Sequence, residues 1–193
     1  MNTASRLLSL SLMLTSPLLG FASDEPSFEP PAGHAGHGVN YDPRSPLVDT
    51  VRHATEAYRD INAATAAGFV QGTPCVSGPD FGAMGVHYVM PARINGALLN
   101  AEQPEALIYE PQPSGALRLV GVEFIILADL WQTKHPKVGV PVLEGHLMNY
   151  VAAPNRYGLP AFYELHVWAW AHNPVGSFAD WNSQVSCDHQ PPN

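Results

Sequence analysis

The chain has 193 residues, 9 basic and 17 acidic side chains, and a formal charge of −8 at pH 7 with histidine neutral. No basic patch is present to neutralise phosphates, so nucleic acid and anionic membrane surfaces are not expected partners. Length and an apolar content of 46% suit one domain with a sizeable core.

Residues 1–22 read as a secretory signal peptide. Arg6 is the lone charge before Asp24, Leu7 to Leu14 form a compact apolar stretch, and Gly20-Phe21-Ala22 is a small-x-small cleavage site. Pro17 and Gly20 interrupt the run, which is too short for a membrane span. No later stretch reaches about 18 uncharged apolar residues, so no membrane span is expected after cleavage. The expected location is periplasmic or secreted.

Residues 23–44 read as a flexible linker rich in Pro, Gly and acid, with His34 and His37 within it by composition. Residues 45–193 are expected to form one globular domain. Ser45-Pro46 suits a helix start, and Leu47, Val51, Ala54, Tyr58, Ile61 and Thr65 recur at helical spacing up to Gly68. After Gly68, Pro and Gly punctuate short apolar runs. Strands are expected near Met84–Met90, Ala106–Glu110, Leu117–Leu127 and Phe162–Ala171. Val140–Val151 fits a strand or a short helix, and residues 173–187 fit an ordered loop with one helical turn.

The expected fold class is therefore α+β. An N-terminal helix packs on a mainly antiparallel sheet or small open β-barrel, closed by one disulfide. Cys75 and Cys187 are expected to pair in an oxidising compartment. Closing so long a loop is worth roughly 4–5 kcal/mol in the chain-entropy picture. Thiolate ligation of a metal is the alternative, disfavoured because neither cysteine lies in a CxxC or Cys-His pair.

Three strands carry ionisable residues in apolar surroundings. Met84-Gly85-Val86-His87-Tyr88-Val89 and Val120-Gly121-Val122-Glu123-Phe124-Ile125 echo one another. Each places a Gly two residues before an ionisable group, either to clear space beside it or to mark a bulge or tight crossing. Glu123 lies in a run apolar on both faces, where a carboxylate is expensive unless paired, protonated or bound to a cation. In Tyr163 to His172, alternation puts Glu164, His166, Trp168, Trp170 and His172 on one face.

His87, Glu123 and His166 are the leading candidate metal ligands. Glu164, His172 and His146 stand in reserve, and Glu110 is a weaker candidate. Imidazole with carboxylate suits a divalent transition metal: Zn, Cu, Fe, Mn or Ni. An alternative function is a metal-free binding module whose aromatic pocket is built from Trp168, Trp170 and Tyr88, or Tyr163. The chain has no GxSxG, HExxH, P-loop or CxxCH motif, and no GxGxxG before a helix, so no reaction is fixed.

Residues 54–60, Cys75-Val76, Gly82 to Tyr88, Leu119 to Phe124, Leu165-His166-Val167-Trp168, Asp180-Trp181-Asn182 and Val185-Ser186-Cys187 together resemble a family of uncharacterised secreted bacterial proteins. The resemblance covers about residues 45–188. It implies export and a single domain, and carries no catalytic residues across.

Overall fold

The computed structural model describes residues 45–190. The segments expected to be a signal peptide (1–22) and a linker (23–44) lie outside the described residues. The described chain is α+β, as its sequence pattern leads one to expect, with one disulfide joining Cys75 and Cys187 at a Cα separation of 5.6 Å. Among the described residues, no helix is long and apolar enough to cross a membrane.

The first helix, α1 (Pro46–Thr55), begins with Pro in its first turn and buries Leu47, Val48 and Val51. The helix expected to continue to Gly68 instead breaks. A 3-10 turn covers Glu56–Arg59, and α2 (Ile61–Ala66) restarts after it. Two local competitors explain the break. The Thr55 hydroxyl donates to the Val51 carbonyl (2.7 Å) and accepts from Trp170 Nε1 (3.0 Å). Asp60 adopts an extended conformation and accepts from the Asn62 N–H (2.9 Å), capping a new helix. Tyr109 Oη donates to the Tyr58 carbonyl freed at the break (2.6 Å).

The sheet is open and antiparallel. Its strands are β1 (Val70–Gln71), β2 (Val76–Gly78), β3 (Gly82–Val89), β4 (Ala106–Pro111), β5 (Leu117–Leu127), β8 (Asn149–Val151) and β9 (Phe162–Val167). The order is β1-β3-β4-β5-β9-β8, with β2 also pairing β3. The ambiguous segment 140–151 resolves into β8 and a small hairpin of β6 (Val142–Leu143) and β7 (His146–Leu147). Two short helices, α3 (Pro91–Ile94) and α4 (Ala128–Lys134), connect strands.

Alternation divides the sheet into two unlike faces. Leu107, Tyr109, Val122, Phe124, Leu165 and Val167 turn to the face covered by α1 and form the main core with Leu47, Val48 and Val51. The opposite face carries two smaller apolar clusters. One gathers Ala83, Ile108, Val120, Trp168 and Val185, and the other Ile94, Ala106, Ile125 and Phe162. Between them lie the buried ionisable residues His87, Glu123, Glu164 and His166.

The C-terminal segment lies over this second face. Asn182 bridges Ala83, Trp168 Nε1 donates to the Ala179 carbonyl (2.6 Å), and the disulfide fixes the far end. No helical turn forms there.

Candidate metal centre

Register assembles the site. Val89 pairs with Ala106, Ala106 with Glu123, and Glu123 with His166, so these four form one transverse row. His87 pairs with Ile108 in the adjacent row, and Glu164 pairs with Ile125 one row further along. His87 and Glu123 belong to strands separated by β4, about two interstrand spacings or ~10 Å between backbones. Their side chains nevertheless meet, His87 Nε2 lying 3.4 Å from Glu123 Oε2. Ala106, fully buried between the two strands, offers only a methyl group and leaves them room.

Two ligand triads result. His87, Glu123 and His166 each offer one atom within 4.8 Å of the others, and so do Glu164, His166 and Asp180. His166 belongs to both. Its ring stands at 88° to that of His87, with centroids 6.0 Å apart, and it stacks on Trp168. His166 Nδ1 lies 3.7 Å from Asp180 Oδ1, and the Asn149 side-chain amide donates to the same oxygen (3.1 Å).

The electrostatics are unbalanced. Burial, and then the neighbouring His166, push the His87 pKa down to about 3. Burial pushes His166 down to about 4. Both rings are therefore neutral near pH 7, the state in which imidazole ligates metal. Burial also raises Glu123 well above the usual carboxylate range, helped by Glu164, Asp180 and Glu105. Glu164 and Asp180 are raised too, chiefly by burial. Among the described residues, no lysine or arginine forms an ion pair with these carboxylates.

His87 Nε2, Glu164 Oε2 and both ring nitrogens of His166 are buried without a hydrogen-bond partner. Each such atom costs about 1–3 kcal/mol unless something binds it.

Of the expected ligands, the structure brings together His87, Glu123, His166 and Glu164. It does not bring the others. The chain leaves the strand after Val167, so alternation no longer holds at His172, which is exposed and faces Gln184 (3.4 Å). His146 packs on the Phe178 ring and faces Ser45. Glu110 binds Arg118, the Ser186 N–H (3.0 Å) and Gln112 (2.9 Å), a structural role that ties down the C-terminal segment.

The expected aromatic pocket is assembled only in part: Trp168 and Trp170 line one small cavity together with Arg52 and His172, and Tyr88 lies outside it. Trp168 joins the cluster beside His166, whereas Trp170 and Tyr88 pack against the main core. The turn after Val167 again explains Trp170, whose Nε1 reaches Thr55 across the helix face. Tyr163 also packs against the main core.

The two glycines mark bulges and close crossings. Gly85 has φ +101° at a register shift between β2 and β3, and a Cβ there would meet the Tyr109 carbonyl at 2.6 Å. A Cβ on Gly121, beside the shift between β4 and β5, would meet the Val167 carbonyl at 2.8 Å. They clear room for backbone, not for a ligand.

Asp180, Thr73, Tyr157 and Glu105 are site residues that strand alternation did not single out. Asp180 and Thr73 lie in loops and carry no periodic signal. Tyr157 sits beside His87, with centroids 6.2 Å apart, and donates from Oη to Met84 Sδ (3.4 Å). Glu105 is buried immediately before β4 and accepts from the Ile125 N–H (3.0 Å).

A pocket of about 100 Å³ opens beside the triad. Val89, Ile94, Ile125, Tyr157, Leu159 and Phe162 form its apolar wall, and His87 and Glu123 its polar end. No known protein family, curated protein or solved structure matches the chain.

Proposed function

We propose that this is an exported protein that binds one divalent transition metal ion between β3, β5 and β9. His87, Glu123 and His166 are the ligands, and Glu164 is positioned to add a second carboxylate. Asp180 Oδ1 stands 3.7 Å from His166 Nδ1, and closing that gap on metal binding would fix the ring with Nε2 toward the ion, the usual partnership of a ligating histidine with a carboxylate. The donor set of two imidazoles with carboxylate suits Zn, Fe, Mn, Cu or Ni.

The observation that carries this reading is the group of buried polar atoms on His87, His166 and Glu164 without partners, gathered around clustered carboxylates. A dication supplies the missing partner for the nitrogens and the missing positive charge for the carboxylates. Without one, the fold must bury adjacent carboxyl groups that share a proton. Two neutral histidines and ionised carboxylates are the protonation states that metal binding selects, so loading should release protons.

Export is supported by the N-terminal composition and by the disulfide, which oxidising compartments favour. The test of the metal reading is calorimetric titration of chelator-treated protein with Zn, Mn, Co, Ni and Cu ions. Saturation near one equivalent in the native chain, lost in His166→Ala and in His87→Ala, supports it. Equal binding by the native and substituted chains removes it.

A further inference from the structure

The pocket beside the triad has walls of a different chemistry from the triad itself. Tyr157, Phe162 and the His87 ring meet there at steep angles: Tyr157 and Phe162 lie 5.9 Å apart at 69°, and His87 and Tyr157 cross at 63°. Rings arranged in this way offer faces and edges to a further flat ring. Val89, Ile94, Ile125 and Leu159 complete the wall.

The outer side of this wall is preorganised. Asn155 donates to the carbonyls of Ala152 (3.2 Å) and Leu159 (2.9 Å) and accepts from the N–H groups of Tyr157 (3.2 Å) and Leu159 (3.3 Å). Four hydrogen bonds from one side chain hold Tyr157 and Leu159 over the pocket. Tyr157 Oη is engaged by Met84, so the ring presents carbon to the interior.

We propose that this pocket binds a small, uncharged, flat molecule, a single ring with one oxygen or nitrogen donor, whose donor atom points to His87 and Glu123. Four features set the class. A volume near 100 Å³, below the roughly 150 Å³ of dry apolar cavities that take up benzene, admits at most one ring. The aromatic and aliphatic walls select a flat apolar body. No lysine or arginine lines the pocket to pair an anion, so the molecule is neutral. Its polar end is confined to one side, which allows one donor. The half-buried Val89, Tyr157 and Leu159 mark the mouth. The inference rests on the metal reading only for the partner of the donor atom.

The test uses phenol as probe, followed by methyl NMR of Ile, Leu and Val in both metal-free and Co(II)-loaded full-length mature protein. Saturable shifts of Ile94, Ile125, Leu159 and Val89 methyls are expected. Phenol should also change the visible spectrum of the bound cobalt. Benzoate, a single flat ring whose polar end is anionic, should bind about ten-fold more weakly or worse. Val89→Phe and Leu159→Trp, both at half-buried positions, should fill the mouth and abolish the shifts while leaving metal stoichiometry unchanged.

Saturable methyl shifts in a chain that takes up no cobalt support the pocket and remove the metal reading. Cobalt bound near one equivalent with methyls unmoved by phenol leaves the metal reading standing and overturns the pocket. Equal affinity for benzoate, or shifts that persist in both filled variants, overturns it as well.

Discussion

The Thr73 hydroxyl oxygen lies 3.1 Å from the backbone nitrogen of His87 and 3.1 Å from Nδ1 of the same residue. β1 ends at Gln71 and β2 begins at Val76, so the outer edge of β3 has no strand partner at His87. One hydroxyl fills that gap in the ladder and holds the imidazole ring. With Nδ1–H donating to Thr73, Nε2 is left with a free lone pair facing Glu123. Removing this hydroxyl should therefore injure fold and site together. Thr73→Ala should weaken metal binding by about 10–100-fold, the usual cost of losing such a ligand-orienting partner. It should also cost roughly 1–3 kcal/mol of stability by orphaning the His87 N–H. Thr73→Ser should restore both. Chelator competition and urea melts measure the two effects, and unchanged affinity in the alanine variant would count against this role.

Ala106 tests the geometry without touching an ionisable group. His87 and Glu123 meet over β4 because position 106 carries only a methyl group. Ala106→Leu should wedge the two apart, cost about 1–3 kcal/mol through overpacking, and abolish metal binding. Ala106→Gly should keep the metal. Titration with Co(II) distinguishes them by the intensity of the visible bands.

Glu105 gives metal-free protein a pH dependence with a definite sign. Burial pushes its pKa from 4.5 to about 7, against the pull of the Ile125 N–H and Arg93. The folded chain thus holds this proton more tightly than the unfolded chain. The stabilisation is complete below about pH 4.5 and is lost as pH rises through about 7. The full change is on the order of 3 kcal/mol. In Glu105→Gln, the fall in stability across that window should flatten, as read by urea melts at stepped pH with chelator present. A profile as steep as that of the native chain would contradict the assignment.

The disulfide acts at a distance from the site. Cys75–Cys187 spans 112 residues and holds the segment that delivers Asp180 over the second face. Replacing both cysteines by Ser should lower stability by about 2–5 kcal/mol. It should also weaken metal binding, because Asp180 would no longer be held against His166 Nδ1. Isothermal titration of the double variant below its melting range checks the second claim.

The legible part of this molecule is the part governed by alternation. Leu117–Leu127 is a strand with the expected bounds, Cys75 and Cys187 pair, and His87, Glu123, His166 and Glu164 converge because residues of matching parity on neighbouring strands share a face. Alternation fails where the strand stops. Past Val167 the chain turns, so Trp170 crosses to the helix side and His172 goes to solvent. It is also silent on loops, which is why Asp180 and Thr73 carried no signal. The N-terminal helix ends sooner than its apolar stripe predicts, for a local reason. Thr55 and Asp60 supply side-chain hydrogen bonds that compete with continued helix, and an apolar stripe takes no account of them.

The most direct measurement is the metal content of the mature protein, isolated without a histidine tag from the periplasm of a bacterial host and analysed by mass spectrometry beside His87→Ala, Glu123→Gln and His166→Ala. The account predicts about one equivalent of a divalent transition metal in the native chain and a sharp loss in each variant. A native chain that carries no metal and gains no thermal stability from Zn, Mn, Fe, Ni or Cu would contradict it.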